Sequence, residues 1–250
     1  MDRWVNDNQD AHWQKRRSYR PPDTPAARAF ATPKLDWLCE KLAIDHSSSV
    51  LDVGAGNGMF TYWWAQRVRE VVGIELSTNM IEQSPVREYL RQGNALELPF
   101  EDNSFDVAFA GNLLHHLVRP EKALLEMARV SRGRIALCEG NRNHLPMAAF
   151  GVSSRVCRGL LSYSERTLES LVRTTGIDVV EVTCQGYVYE NRSPTFTLPA
   201  SRALEGRLSG GAYLLLAGYT TSSVTRDVGQ QNDADQSHAL PRQTPQQLPT

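Results

Sequence analysis

The residues with the clearest chemical potential are Asp52, Gly54, Gly56 and Gly58 in Leu51-Asp52-Val53-Gly54-Ala55-Gly56-Asn57-Gly58, and Glu75 in Gly73-Ile74-Glu75-Leu76-Ser77. Gly54 and Gly56 can take backbone angles closed to other residues, and they carry no side chain to keep a ligand away. Gly58 lets a helix begin close to the preceding strand. A ligand can therefore lie against bare backbone at a helix N-terminus, where unpaired N–H groups suit a carboxylate or a phosphate equally well. Glu75 stands about 20 residues beyond the first glycine, where a carboxylate can accept from the two hydroxyls of a ribose.

Two details narrow the ligand. The spacing is Gly-x-Gly-x-Gly rather than the Gly-x-Gly-x-x-Gly of dinucleotide binders, and Asp52 lies two residues before the first glycine. An acid in that place repels a pyrophosphate and could hold an amino group instead. S-adenosylmethionine has an amino-acid end and an adenosine end, and so fits both halves of the pattern.

Further motifs follow in order: Gly93-Asn94-Ala95-Leu96-Glu97-Leu98-Pro99-Phe100, Ser104-Phe105-Asp106-Val107 and Asn112-Leu113-Leu114-His115-His116-Leu117. Together with the first two, they resemble the class I S-adenosylmethionine-dependent methyltransferases, particularly the small-molecule group sometimes called type 11. The specific motifs lie between about residues 50 and 117, and the fold resemblance extends from roughly 30 to 220. It implies an α/β fold, a Rossmann-like three-layer sandwich whose seven-stranded, mostly parallel sheet has an antiparallel last strand. S-adenosylmethionine is the implied cofactor. The loop at Asp52, Gly54, Ala55 and Gly56 would take its methionine end and Glu75 its ribose. Leu76 and Met80 would flank the adenosine, although Met80 also reads as core. Asn94 stands where the family usually has Asp; its carboxamide can accept from the adenine amino group and donate to a ring nitrogen. The backbone of Ala95 and Leu96 would frame the ring.

Elements that could position these residues are legible around them. Apolar runs at 50–53, 70–76, 89–95, 105–110 and 134–139 read as parallel strands, with Ile177–Tyr189 and Gly211–Tyr219 as a terminal hairpin. Thr32-Pro33 reads as a helix start, followed by an apolar stripe at Leu35, Leu38 and Leu42. Ser77-Thr78-Asn79 offers caps for a short helix that Pro85 stops, Arg119-Pro120 opens another, and Ser162-x-x-Glu165 has capping-box spacing. Residues 190–210 read as a long loop.

In open parallel sheets ligands sit outside the carboxyl ends of the strands. Asn112, His115 and His116 fall at that edge, with Asn112 a cofactor contact. His116 is the candidate general base or acceptor contact, since an imidazole near pKa 6.5 suits deprotonation near neutrality. The competing reading is a histidine bonded to neighbouring backbone, because two adjacent side chains on a turn should diverge. With no third ligand in view, the sequence predicts no metal site. Glu139 ends the fifth strand; it could accept a proton or a substrate hydroxyl, or could pair with Arg142.

The chain divides into an N-terminal arm (1–23), a catalytic domain (24–220) with a substrate cap at about 140–163, and a tail (221–250). In the arm, Tyr19 and Arg20 are candidates for substrate contact beside the plainer reading of surface packing. In the cap, His144, Met147 and Phe150 are the candidates. The tail lacks aromatics and is too polar to offset its ordering entropy. A length of 250 residues supports one large domain, and a formal charge of −1 gives no general attraction to nucleic acid. Four scattered cysteines form no Cys-x-x-Cys pair, and no apolar run approaches the ~20 residues that span a bilayer. The expectation is a cytoplasmic protein with a small-molecule partner. A nicotinamide-dependent oxidoreductase and a non-catalytic cofactor-binding module are the rival readings.

Overall fold

The computed structural model describes residues 21–154, 157–188, 193–204 and 210–221. Tyr19, Arg20 and the rest of the arm before Pro21 lie outside the described residues, as does the tail from 222. At the arm's described end, the buried Pro22 accepts the indole N–H of Trp63 at 3.0 Å.

The first helix, α1 (Pro25–Leu42), starts seven residues before Thr32 and runs through Pro33. Thr24 caps it, its hydroxyl accepting from the Ala27 N–H at 3.2 Å, and Pro25 takes the first helical position. An interior proline costs about 3 kcal/mol. Burial offsets it: Phe30 is fully enclosed and Ala26, Ala27, Ala29 and Ala31 are buried beside it, worth roughly 2 kcal/mol for the ring and a fraction for each methyl. The sequence signal at Thr32-Pro33 was a proline inside a helix, held there by packing.

Seven strands form one sheet: β1 (Ser49–Val53), β2 (Glu70–Glu75), β3 (Leu90–Gln92), β4 (Phe105–Gly111), β5 (Ser131–Gly140), β6 (Ile177–Gln185) and β7 (Tyr213–Thr220). Their order is β3-β2-β1-β4-β5-β7-β6, and β7 runs antiparallel to both neighbours. This is the Rossmann-like sheet with an inserted antiparallel last strand that the motifs imply. β6 ends at Gln185, before the left-handed Gly186 (φ 82°), so the strand is shorter than its alternating sequence suggests. The stretch expected as a long loop contains a 3-10 turn at Thr195–Thr197 and a helix, here α7 (Leu198–Leu204).

Alternate side chains of each strand serve two cores. On one face Val107 and Phe109 of β4 and Leu215 of β7 pack with Phe30 and Leu38 of α1 and with Trp64 of α2 (Met59–Trp64). On the other face Ala108, Ala110, Leu214 and Leu216 pack with Leu124 and Met127 of α4 (Pro120–Val130) and Leu168 of α6 (Glu165–Thr174). This period-two division makes the three layers and fixes the register. The helix α6 is capped by Ser164 with Thr167, two residues on from the expected Ser162 pair. A threonine hydroxyl there does the reciprocal work that a Glu side chain performs in the usual box.

Two short helices complete the upper edge: α3 (Thr78–Glu82), capped by Ser77, and α5 (Leu145–Ser153). Among the described residues no helix is long and apolar enough to cross a membrane.

Candidate functional site

The carboxyl ends of β1 to β5 lie side by side, with Asp52 opposite Gly73, Glu75 opposite Gln92, and Gly111 opposite Cys138. The glycine loop, Glu75, Asn94, Asn112 and His116 consequently share one edge of the sheet.

The glycine loop is pinned to β2. The N–H groups of Gly54 and Ala55 both donate to the Ile74 carbonyl, at 2.8 and 3.0 Å. Gly54 and Gly56 have φ of 72° and 61°, and a Cβ on Gly54 would meet Leu113 at 2.6 Å. A side chain is excluded there by conformation and by space. Because these N–H groups are committed to β2, the loop offers a ligand a close backbone approach rather than a nest of anion-binding donors. That favours an amino-acid end over a pyrophosphate.

Glu75 is held from two sides. One oxygen accepts from the Gly56 N–H at 2.9 Å and the other from the Ser77 N–H at 2.8 Å. The carboxylate is half-buried and cannot swing freely, with its two oxygens held side by side at the sheet edge. A vicinal diol is the ligand group that uses both at once.

Asp52 stands differently from expectation. It is 1% exposed, accepts the Thr61 hydroxyl at 2.6 Å, and ties β1 to α2 beneath the loop. Burial pushes its carboxyl up to about 7, against the lowering effect of the Thr61 bond and with a further rise from Glu75. The surface open to a ligand amino group is the loop backbone, with Asp52 behind it.

Asn94 is exposed, and its side-chain oxygen accepts from the Leu96 N–H at 3.0 Å. The carboxamide NH₂ is thereby turned away from the turn. Ala95 and Leu96 are half-buried next to it. The loop carrying them is anchored by Arg129 of α4, whose guanidinium donates to the carbonyls of Leu98 and Phe100 at 3.0 and 2.7 Å and pairs with Glu126 and Asp102. Leu76 is 42% exposed, whereas Met80 is buried with its methyl 3.3 Å from where a Gly56 Cβ would be. Met80 therefore floors the loop. Asn112 sits in the left-handed region (φ 56°), its N–H on the Cys138 carbonyl at 2.7 Å.

The histidine pair overturns an expectation. His115 and His116 lie on a 3-10 turn (Leu114–His116), and their rings do not diverge: the centroids are 3.9 Å apart and the planes inclined by 44°. Glu139, fully buried, accepts from the Leu114 N–H at 2.6 Å and meets His115 Nδ1 at 2.7 Å. Neither arrangement read from the sequence, a substrate contact or a pair with Arg142, describes Glu139. Arg142 donates to the carbonyls of Leu161 and Ser162. Glu139 is a positioning residue for His115, and the half-buried His116 is the more accessible ring. Burial lowers the His115 pKa, but the Glu139 charge and a hydrogen bond with Cys157 outweigh it and raise the ring to about 9.

The cap contributes unevenly. Met147 is 3% exposed and packs into the α1-side core, so it supports the cap from below rather than lining a free wall. Phe150 is half-buried beside that core, and His144 stands at the N-terminal end of α5 without a side-chain cap bond, its ring 5.8 Å from that of Tyr187. Burial lowers the His144 pKa. The residue that sequence reading missed is Cys157. Only folding brings it to the histidine pair, through a 3-10 turn (Arg158–Ser162) that closes on the first one at Gly159. A Cβ on Gly159 would overlap the His115 carbonyl oxygen; that glycine, two residues from the cysteine, was the available signal.

Comparison with known proteins bears on the same residues. The family model described as "Methyltransferase domain" matches residues 51–137. The chain is 33% identical over 148 residues to a phosphatidylethanolamine N-methyltransferase of Cereibacter sphaeroides, covering 54% of this chain and 72% of that protein. It is 32% identical over 128 residues to a demethylmenaquinone methyltransferase of Lactiplantibacillus plantarum, covering 44% of this chain and 54% of that one. The chain spans about half the length of the curated relatives it matches first. A crystal structure of an S-adenosylmethionine-dependent methyltransferase from Aquifex aeolicus superposes with a TM-score of 0.59 at 17% identity, covering 85% of this chain and 98% of that one.

Proposed function

Since the chain belongs to the class I S-adenosylmethionine-dependent methyltransferases, we propose that it transfers the methyl group of this cofactor to an oxygen, nitrogen or carbon atom of a small-molecule acceptor. Family membership and the inserted antiparallel β7 set aside the nicotinamide-dependent alternative. The observation that carries the reading is Glu75, a half-buried carboxylate held by the Gly56 and Ser77 N–H groups at the carboxyl end of β2.

The residues fit the cofactor along its length. The Gly54–Gly56 backbone receives the methionine end, Glu75 accepts the ribose hydroxyls, and the Asn94 carboxamide donates to an adenine ring nitrogen while Ala95 and Leu96 frame the ring. Leu76 covers the adenosine, and Asn112 stands between the cofactor and the acceptor side. The cofactor, when bound, supplies a methyl group already activated on a sulfonium. Catalysis then rests mainly on alignment of the acceptor with that group. His116 takes up the acceptor's proton where the acceptor must lose one, and Glu139 fixes the neighbouring His115 so that the pair keeps its orientation. The cap of α5 and the turn after it, with His144 and Phe150, shapes the acceptor side.

The relatives include enzymes named for a phospholipid headgroup and for a quinone, so the acceptor screen spans amines, phenols, quinols and carbon nucleophiles. Methyl-labelled cofactor is supplied, and S-adenosylhomocysteine is quantified with and without each acceptor. Acceptor-dependent product supports transfer. Tight cofactor binding without turnover across every class would instead support a binding module.

A further inference from the structure

We infer that His115, His116 and Cys157 form a three-donor site for a divalent transition-metal ion of the zinc class, at the edge where β4 and β5 end. One ligand atom from each residue lies within 4.8 Å of the other two. In tetrahedral zinc sites, with bonds of ~2.0–2.3 Å, donor atoms stand roughly 3.3–3.7 Å apart. Closing the cluster on an ion therefore needs movements of about 1 Å, within the reach of a cysteine χ1 adjustment and a small ring tilt.

The surroundings are those of a ligand set. His115 engages Glu139 through Nδ1, which leaves Nε2 for the cluster. Glu139 is fully buried and anchored by the Leu114 N–H, so it fixes both the ring's tautomer and its direction. A carboxylate bonded to the far nitrogen of a histidine is the usual outer support of a metal-bound imidazole. The two rings lie close together on one turn, and the Gly159 contact brings Cys157 to them. Two imidazoles and a thiolate select a borderline-soft ion and disfavour magnesium and calcium, which prefer oxygen. His116 and Cys157 are half-buried, so the cluster lies partly at the surface. The proposal departs from the expectation of no metal site because its third donor is 41 residues away in sequence from His116.

An ion here would take the same nitrogen lone pair that His116 would offer to a proton, so metal loading and proton uptake at His116 would exclude one another. The site shares His116 with the proposed acceptor side and is tested without activity. Untagged full-length chain is stripped with chelator and titrated with Co²⁺. The expected result is one ion per chain, with a near-ultraviolet thiolate-to-cobalt band and tetrahedral visible bands, all abolished by displacement with Zn²⁺. Cys157→Ser should remove the near-ultraviolet band with circular dichroism unchanged. Glu139→Gln should weaken cobalt binding about 10- to 100-fold. A folded wild-type chain without that band, or a band of equal intensity in Cys157→Ser, would overturn the site. S-adenosylhomocysteine binding measured on the stripped chain reports on the proposed function separately, since the cofactor residues are not ligands.

Discussion

At the scale of single residues, the buried His115 and Asp52 respond to pH in ways that can be checked separately. His115 is raised to about 9 in the folded chain, from an ordinary value near 6.5. The folded state therefore holds a proton that the unfolded state releases between these values. The stability from the His115–Glu139 pair is present in full below about 6.5 and is lost as pH rises through about 9. In chelator-treated protein, urea unfolding at pH 6 and pH 10 should show a drop that His115→Gln reduces by on the order of 2 kcal/mol. Asp52 is also raised, to about 7, by burial. Its contribution is complete below about 3.8 and declines as pH climbs through 7. Asp52→Asn should accordingly raise the melting temperature at pH 8 and leave it nearly unchanged at pH 3.5. An equal shift at both values would contradict a buried, ionising Asp52.

At the scale of elements, the adenine-side loop depends on Arg129. This guanidinium is 7% exposed as a residue and joins α4 to the Leu98 and Phe100 carbonyls and to Glu126, which in turn accepts the Leu98 N–H. Arg129→Met takes one donor from the half-buried Glu126 carboxylate, which keeps the Leu98 N–H, and removes the Arg129 donor from two carbonyls, a change that costs about 2 kcal/mol. The prediction is lower stability in urea together with weaker cofactor binding, although Arg129 is not among the residues proposed to contact the cofactor. Unchanged affinity would mean that the loop is set by its own turn at Asn94.

Element by element, what could be read from the sequence follows what is local. The strand–loop–helix at residues 50–60, the Ser77 cap and the apolar runs of β4 and β7 carry their signals within a few residues, and so did the sheet they build. Pro33 in mid-helix, the shift of the α6 cap to Ser164 and the meeting of Cys157 with His115 depend on packing between distant segments. Of these, only Gly159 leaves a mark in the chain, and its reason is visible only once the His115 carbonyl lies against it.

In the whole molecule, the glycine loop and Glu75 are held by bonds within the sheet edge itself, so a ligand would meet a surface already organised. Binding to the folded chain alone adds stability by mass action, ~2.7 kcal/mol at 100 times the dissociation constant, which for a domain of this size is a rise of roughly 5–10 °C in melting temperature. The most direct measurement is calorimetric binding of S-adenosylhomocysteine to the wild-type chain and to Glu75→Ala, with folding of both checked by circular dichroism. Loss of a two-pronged, charge-assisted ribose contact should weaken binding about 10- to 100-fold. Equal affinity in the two proteins, or no binding by the folded wild type, would contradict the assignment of this edge as the cofactor site.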